Sequence, residues 1–302
     1  ASDIFQMAAG SPTIVNNGTF ADKAAGVSRV AGTFTNNATL SVSSGATLVL
    51  ERGTQTLGGT VSGAGTLLLG AAAKALIDTT SVTVSNLHIN GGNLGAKVEL
   101  DNNLGYGGAF AFKGQFDQLD LEGNTLTLTG ASNSLTGNVI DGAGTLKVTG
   151  AATIGGNINV GGAGGGGTAV TLQNSGTMTQ TGGVGLNGTL INDAGRTYSI
   201  TTAGDIYQMA GGIPTIVNNG TFADKAAGIS RVAGTFTNNG TLSVSSGATL
   251  ILERGKATLG GTVSGAGALV LGAGIDTTLD PTSLTIASLE LGGGIFGGTT
   301  RL

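Results

Sequence analysis

From Thr39 to Glu51 the chain reads TLSVSSGATLVLE, and apolar side chains alternate with small polar ones. Leu40 and Val42, then Leu48 and Leu50, fall on one side, while Thr39, Ser41, Thr47 and Val49 fall on the other. A period of two marks a strand with one buried face. Asn-Gly, Ser-Gly and Gly-Gly pairs stand between such runs, and these residues accept the positive φ of tight turns. Nowhere does a 3.6-residue period persist for three turns. The single stretch that reads as a short helical turn, or else a loop, is Ala71–Ile77, AAAKALI. The pattern therefore predicts many short strands and next to no helix.

Repeats decide how those strands assemble. The stretch Val15–Gly26, VNNGTFADKAAG, returns unchanged as Val217–Gly228. At an offset of 202, residues 3–70 align without a gap on residues 205–272, and ten of these 68 positions differ. Most changes keep the chemistry: Phe5/Tyr207, Ala9/Gly211, Val27/Ile229, Ala38/Gly240, Val49/Ile251 and Leu68/Val270. The register continues through Asp78/Asp280 and Leu87/Leu289 to the last residue, so residues 1–202 read as one unit and 203–302 as half of a second. The expected organisation is a single continuous segment over 1–302.

A finer step of about twenty residues runs inside the unit. NNGTF at Asn16 is followed by NNATL at Asn36, NNGTF at Asn218 by NNGTL at Asn238, and TLTLTG at Thr125 by TLKVTG at Thr145. Elsewhere the step slips: GATLVL at Gly45 and GAGTLLL at Gly63 are eighteen apart, and NSGTM at Asn174 and NGTL at Asn187 thirteen. About twenty residues suit one solenoid coil of three short strands with turns, in which each coil touches only its neighbours and copies add without limit. A closed sandwich would not tolerate a seamless duplication. The expected fold is an all-β parallel β-helix of roughly fifteen coils, about 4.8 Å apart.

Composition agrees. The 302 residues include 58 glycines, with charged residues at 10% and aromatics at 4%, yet hydrophobic residues reach 39%, enough to bury a continuous core. Glycine in a strand interior costs about 0.5–1 kcal/mol relative to alanine, which assigns most of the glycines to turns. The absence of cysteine excludes a disulfide framework and cysteine-held metals. A net charge of -4, with 13 basic residues scattered singly, argues against a nucleic-acid partner. No apolar run is long enough for a membrane-spanning helix, and no signal-peptide pattern opens the chain at Ala1. DIFQM at Asp3 recurs as DIYQM at Asp205, so the sequence opens inside a motif and reads as an excerpt.

Candidate chemistry is sparse. Asn16/Asn36 and Asn218/Asn238 have the spacing to form amide ladders from coil to coil. The competing reading is glycosylation, because Asn17, Asn37, Asn187, Asn219 and Asn239 each begin an N-x-T acceptor. Asp117, Asp120 and Glu122 form the one local carboxylate cluster. Alternation with Leu119 and Leu121 places Asp120 and Glu122 on the solvent side of one strand, within reach for general acid/base work, but no Lys, Arg or His is expected beside them. A solvated strand face is the expectation. His88, the single histidine, aligns with Glu290 and reads as an exposed strand residue. Glu51-Arg52 and Glu253-Arg254 read as turns with exposed charges. GGAGGGG at Gly161–Gly167 lacks the Lys-Ser/Thr and the helix of a phosphate loop, and reads as a bulging loop. Thr125, Thr127 and Thr129, and Thr177, Thr179 and Thr181, form two short rows, too isolated for an ice-binding face. No catalytic residue, metal or cofactor is expected.

NNGTLSVSSGATLILERG, TLGGTVSGAGALVLG and GNTLTLTGASNSLTGNVIDGAGTLKVTG resemble the passenger repeats of large bacterial surface proteins, the autotransporter and filamentous-haemagglutinin-like adhesins. The likeness covers nearly the whole chain and rests on Gly-Thr-Leu and Asn-Gly-Thr units. It implies a right-handed parallel β-helix, export across the outer membrane to an extracellular or cell-surface location, and a role in attachment or biofilm matrix. The implied partners are neighbouring repeats, end-to-end copies, and a host surface or polysaccharide. A self-assembling filament subunit and a carbohydrate-binding or carbohydrate-cleaving β-helix are the alternatives. The family's repeats carry no functional residue to transfer.

Overall fold

The computed structural model describes residues 3–4, 12–162, 168–209, 212–292 and 297–301. These belong to two compact units, Ala1–Leu146 and Lys147–Leu302. Each unit is a stack of coils of about 20 residues with parallel strands, about 14 turns in total. Helix is confined, among the described residues, to one 3-10 turn at Gly92–Leu94.

In the first unit, Thr13–Asn16, Thr19–Asp22 and Gly26–Ala31 make one coil, and Thr33–Asn36, Thr39–Val42 and Ala46–Glu51 the next. They pair in parallel, residue on equivalent residue: Asn16 on Asn36, Phe20 on Leu40, Val30 on Leu50. Like therefore stacks on like, and Leu40, Val42, Leu48 and Leu50 are buried as the alternation predicts. A fully buried Leu of this kind contributes about 1.5–3 kcal/mol. Val49 departs from the pattern. It lies on the outward side, yet is only 4% exposed, because Arg29 and Leu68 flank it in the neighbouring coils.

Ala71–Ile77 is neither helix nor loop. Ala73–Ile77 is a strand, paired with Gly53–Leu57 on one side and Lys97–Leu100 on the other, with Ala73, Ala75 and Ile77 buried. Only Ala71 and Ala72 form the turn, Ala72 at φ 54. Alanine's preference for helix is a fraction of a kcal/mol per residue, while hydrogen bonding from two flanking strands acts on every backbone group, so the neighbours decide.

The second unit shows how the stack absorbs unequal steps. Val170–Asn174, Gly188–Asn192, Thr215–Asn218 and Thr235–Asn238 stack in one column that aligns Asn174, Asn192, Asn218 and Asn238. The thirteen-residue spacing was therefore a mismatch of corners: Asn192, in NDAGRTY, is the mate of Asn174, and Asn187 belongs to another turn. Insertions go into turns and these strands stay in register; Thr262–Leu271 is an exception, its register against Ser283–Leu291 shifting by one residue between Gly265 and Ala268. Aromatic rings line the same interior, with Tyr198 stacked on Phe222 at 5.2 Å and Phe222 edge-on to Phe236 at 5.4 Å.

Both copies pinch at the same corner. A methyl group on Gly32 would lie 2.4 Å from the Pro12 carbonyl oxygen, and one on Gly234 would lie 2.5 Å from that of Pro214. Both glycines adopt positive φ, 154° and 152°, so any larger residue there must push successive coils apart.

Candidate functional site

The corner asparagines form the expected ladders. Asn16 Nδ2 donates to Asn36 Oδ1 at 2.7 Å and to the Thr39 carbonyl at 2.8 Å. In the second unit the chain of amides runs Asn174 to Asn192 to Asn218 to Asn238, each step 2.7 Å. The second N–H of Asn174, Asn192 and Asn218 goes to the carbonyls of Thr197, Thr221 and Thr241. All four of these side chains are fully buried. Aligned amides in a dry column polarise one another, which strengthens each link.

The N-x-T asparagines sort differently. Asn17, Asn37, Asn219 and Asn239 are exposed, one residue past each ladder, and Asn37 and Asn239 donate to Asn17 and Asn219 at 2.8 Å. Asn187 is buried, with its Nδ2 donating to the Gly161 carbonyl at 3.1 Å. Four of the five acceptors thus face outward and Asn187 does not.

The acidic group also divides. Asp117 is buried, 26 residues from Gly91 in sequence, yet its Oδ1 accepts N–H bonds from Gly91 and Ala96, both 2.9 Å, and its Oδ2 accepts one from Gly114 at 2.8 Å. It ties the loop around Gly92–Leu94 to the coil and takes no part in a surface cluster. Asp120 pairs instead with Glu99 across Lys97–Leu100 and Gln118–Asp120. Glu122 lies beyond the strand, in a turn at φ 48, and so does not share a strand face with Asp120. Carboxylate oxygens of Glu99, Asp120 and Glu122 lie within 4.8 Å of one another.

A cation does accompany them, contrary to the sequence expectation. Lys97 Nζ lies 2.5 Å from Glu99 Oε1 and 4.0 Å from Asp120 Oδ2. No alignment of coils places this lysine beside the carboxylates, because Lys97 stacks on Gln118 and reaches Asp120 only from two residues before Glu99 on its own strand. The Asp120 charge raises the proton affinity of exposed Glu122, and the hydrogen bond to Glu99 holds Lys97 above its ordinary value. The result is a solvated, partly neutralised charge patch. Exposed pairs of this sort contribute about 0–1 kcal/mol.

A second carboxylate type recurs in both copies. Asp22 Oδ1 accepts from Ser28 Oγ at 3.2 Å and from the Ala24 N–H at 3.3 Å; Asp224 Oδ1 accepts from Ser230 at 3.3 Å and from Ala226 at 3.1 Å. The other oxygen of each is buried without a partner. Burial raises the Asp224 carboxyl above the usual range, against the smaller opposing effect of those donors.

The remaining sequence features fall as follows. His88 is half-buried rather than exposed, between Leu68 and Ala111, and burial together with Lys113 lowers its affinity for a proton. Glu51 and Glu253 are not turn residues with exposed charges: they close the strands Ala46–Glu51 and Ala248–Glu253 and are half-buried, and only exposed Arg52 and Arg254, at φ 52 and 58, make the bend. Gly161 and Gly162 have positive φ, 99° and 86°; residues 163–167 lie outside the described residues. Thr177 is not isolated: it heads a column with Thr197, Thr221 and Thr241. Ser199 and Ala223 follow Thr179 in the next column, which breaks a flat hydroxyl lattice.

Comparison with protein-family models, with curated proteins and with solved structures gives no match, and the functional reading rests on these residues and on the stacking that places them.

Proposed function

We propose that the chain is a structural segment of a large bacterial surface or matrix protein, a run of coils that sets spacing and holds binding regions away from a cell during attachment or biofilm formation. One observation carries this reading: the two near-identical copies reproduce the same internal bonding. Asn16–Asn36 and Asn218–Asn238 are both 2.7 Å, and the backbone N–H groups of Arg29 and Arg231 donate to Asp3 and Asp205 at 3.0 and 2.9 Å. When each coil is held only by its neighbours, a duplicated block keeps all its bonds, so the chain can be lengthened without redesign. Length itself is then the selectable property.

Antibody raised against the purified chain, applied to intact and to lysed cells of the producing bacterium, tests the location. Attachment of cells lacking the gene tests the role. Labelling of intact cells with reduced attachment is expected; label seen only after lysis, or unaltered attachment, overturns the reading.

A further inference from the structure

One outward side of the second unit carries an aromatic ring laid on bare backbone. Ile206–Gln208 pairs with Val184–Leu186, and Val184–Leu186 with Ile158–Val160, which sets Tyr207, Gly185 and Asn159 in one column. A methyl group on Gly185 would come within 2.7 Å of Tyr207 Cε2, and one on Gly183 within 3.3 Å of Cε1. The ring therefore leans across the preceding coil, and its hydroxyl donates to Asn159 Oδ1 at 3.1 Å. Asparagine on one coil, glycine on the next and tyrosine on the third are all needed to lay it down.

Tyr207 lines a pocket of about 370 Å³ with Asn157, Gly183, Asp205, Ile229 and Arg231. Asn157 is a non-glycine residue at φ 62, a conformation that asparagine tolerates better than most residues. Its side-chain oxygen lies 2.5 Å from where a methyl group on Gly183 would sit. Asp205 Oδ1 accepts the backbone N–H of Arg231 at 2.9 Å, which fixes that strand against the pocket. Arg231 is exposed, and its guanidinium forms no salt bridge with any described residue. Ile229, 47% exposed, adds an apolar wall.

A half-exposed ring beside an apolar wall, a guanidinium without a salt bridge among the described residues and two side-chain oxygens match the chemistry of a sugar that carries a carboxylate. Sugar C–H groups pack on an aromatic face, a carboxylate takes a two-pronged bond from arginine, and hydroxyls pair with amide and carboxylate oxygens. We propose that this pocket binds an acidic saccharide, a hexuronate residue of a polysaccharide, with the pyranose on Tyr207, its carboxylate on Arg231 and its hydroxyls on Asn157 and Asp205. The site is a property of the folded chain and does not depend on the attachment role; purified protein tests it, so either reading can fail alone.

The chain has no tryptophan and three tyrosines, of which Tyr106 and Tyr198 are fully buried, so a ligand-induced change in tyrosine emission reports on Tyr207. Titration of the whole chain with oligogalacturonate is expected to give a saturable change, matched by calorimetry, while neutral dextran oligomers give none. Arg231→Gln, at an exposed position, and Tyr207→Ala are each expected to weaken binding about tenfold or more, the scale of one lost charge-assisted or aromatic contact. Gly185→Ala, which keeps the tyrosine but lifts its ring, is expected to do the same with the circular dichroism spectrum unchanged. Absence of saturation at millimolar oligogalacturonate, equal binding of dextran, or full affinity in both Arg231→Gln and Tyr207→Ala overturns the proposal.

Discussion

Asn218 shows what a single side chain does in this chain. It accepts from Asn192, donates to Asn238 and donates to the Thr241 carbonyl, all while fully buried. Replacing it with alanine leaves a donor on Asn192 and an acceptor on Asn238 without partners, and each buried orphan costs about 1–3 kcal/mol. Asn218→Ala is accordingly expected to lower unfolding free energy by about 2–4 kcal/mol, whereas exposed Asn219→Ala changes it by about 0.5 kcal/mol or less. Urea denaturation of both variants checks the contrast, and equal effects would remove the ladder's assigned role. Asp224 gives a signed pH prediction. Its folded carboxyl is raised above the ordinary 3.8, chiefly by burial, so between 3.8 and the raised value the folded state holds more protons than the unfolded chain. Stability from this group therefore falls as pH rises through that window, and the penalty is complete above it. Asp224→Asn carries no such charge. The stability difference, variant minus wild type, is expected to grow as pH climbs from 3 toward 7, and a difference that stays flat contradicts the assignment.

At the scale of the strand, alternation over Thr39–Glu51 located Thr39–Val42 and Ala46–Glu51, because each strand has one face in the core and period two records it directly. Ala73–Ile77 was not legible in that way. Its apolar positions fall at 73, 75, 76 and 77, and a run so rich in alanine scores for helix, while the deciding bonds come from Gly53–Leu57 and Lys97–Leu100, more than a dozen residues away. Val49 was misplaced for a related reason. Alternation gave its direction correctly, but exposure depends on Arg29 and Leu68 in the adjacent coils. Among glycines, the pair at 32 and 234 has a specific task, since the carbonyls of Pro12 and Pro214 occupy the space that a side chain would need.

For the molecule as a whole, nearest-neighbour stacking makes the coil the unit of change. Removing residues 32–52 deletes Thr33–Asn36, Thr39–Val42 and Ala46–Glu51 together with their turns, and joins Ala31 to Gly53. Asn16 then meets Leu57, as Asn36 does now. This variant is expected to keep the β spectrum and a cooperative transition, with the urea m-value reduced in proportion to one coil's buried surface. Removing only residues 32–41 instead brings unlike faces together and is expected to prevent folding. If both deletions behave alike, nearest-neighbour stacking is not what holds the chain.

The sequence alone determined that strands dominate, that they stack in steps of about twenty residues, and that asparagines meet at the corners. Those features are periodic, and a period survives translation into space when every coil repeats the last. What tertiary structure decided is everything set by contact between unlike coils. It put Asp117 under a loop, brought Lys97 to Glu99 and Asp120, buried Asn187 and laid Tyr207 across Gly185. Turn lengths vary from coil to coil, so which residues become lateral neighbours depends on how each insertion is absorbed, and no local pattern in the chain records that.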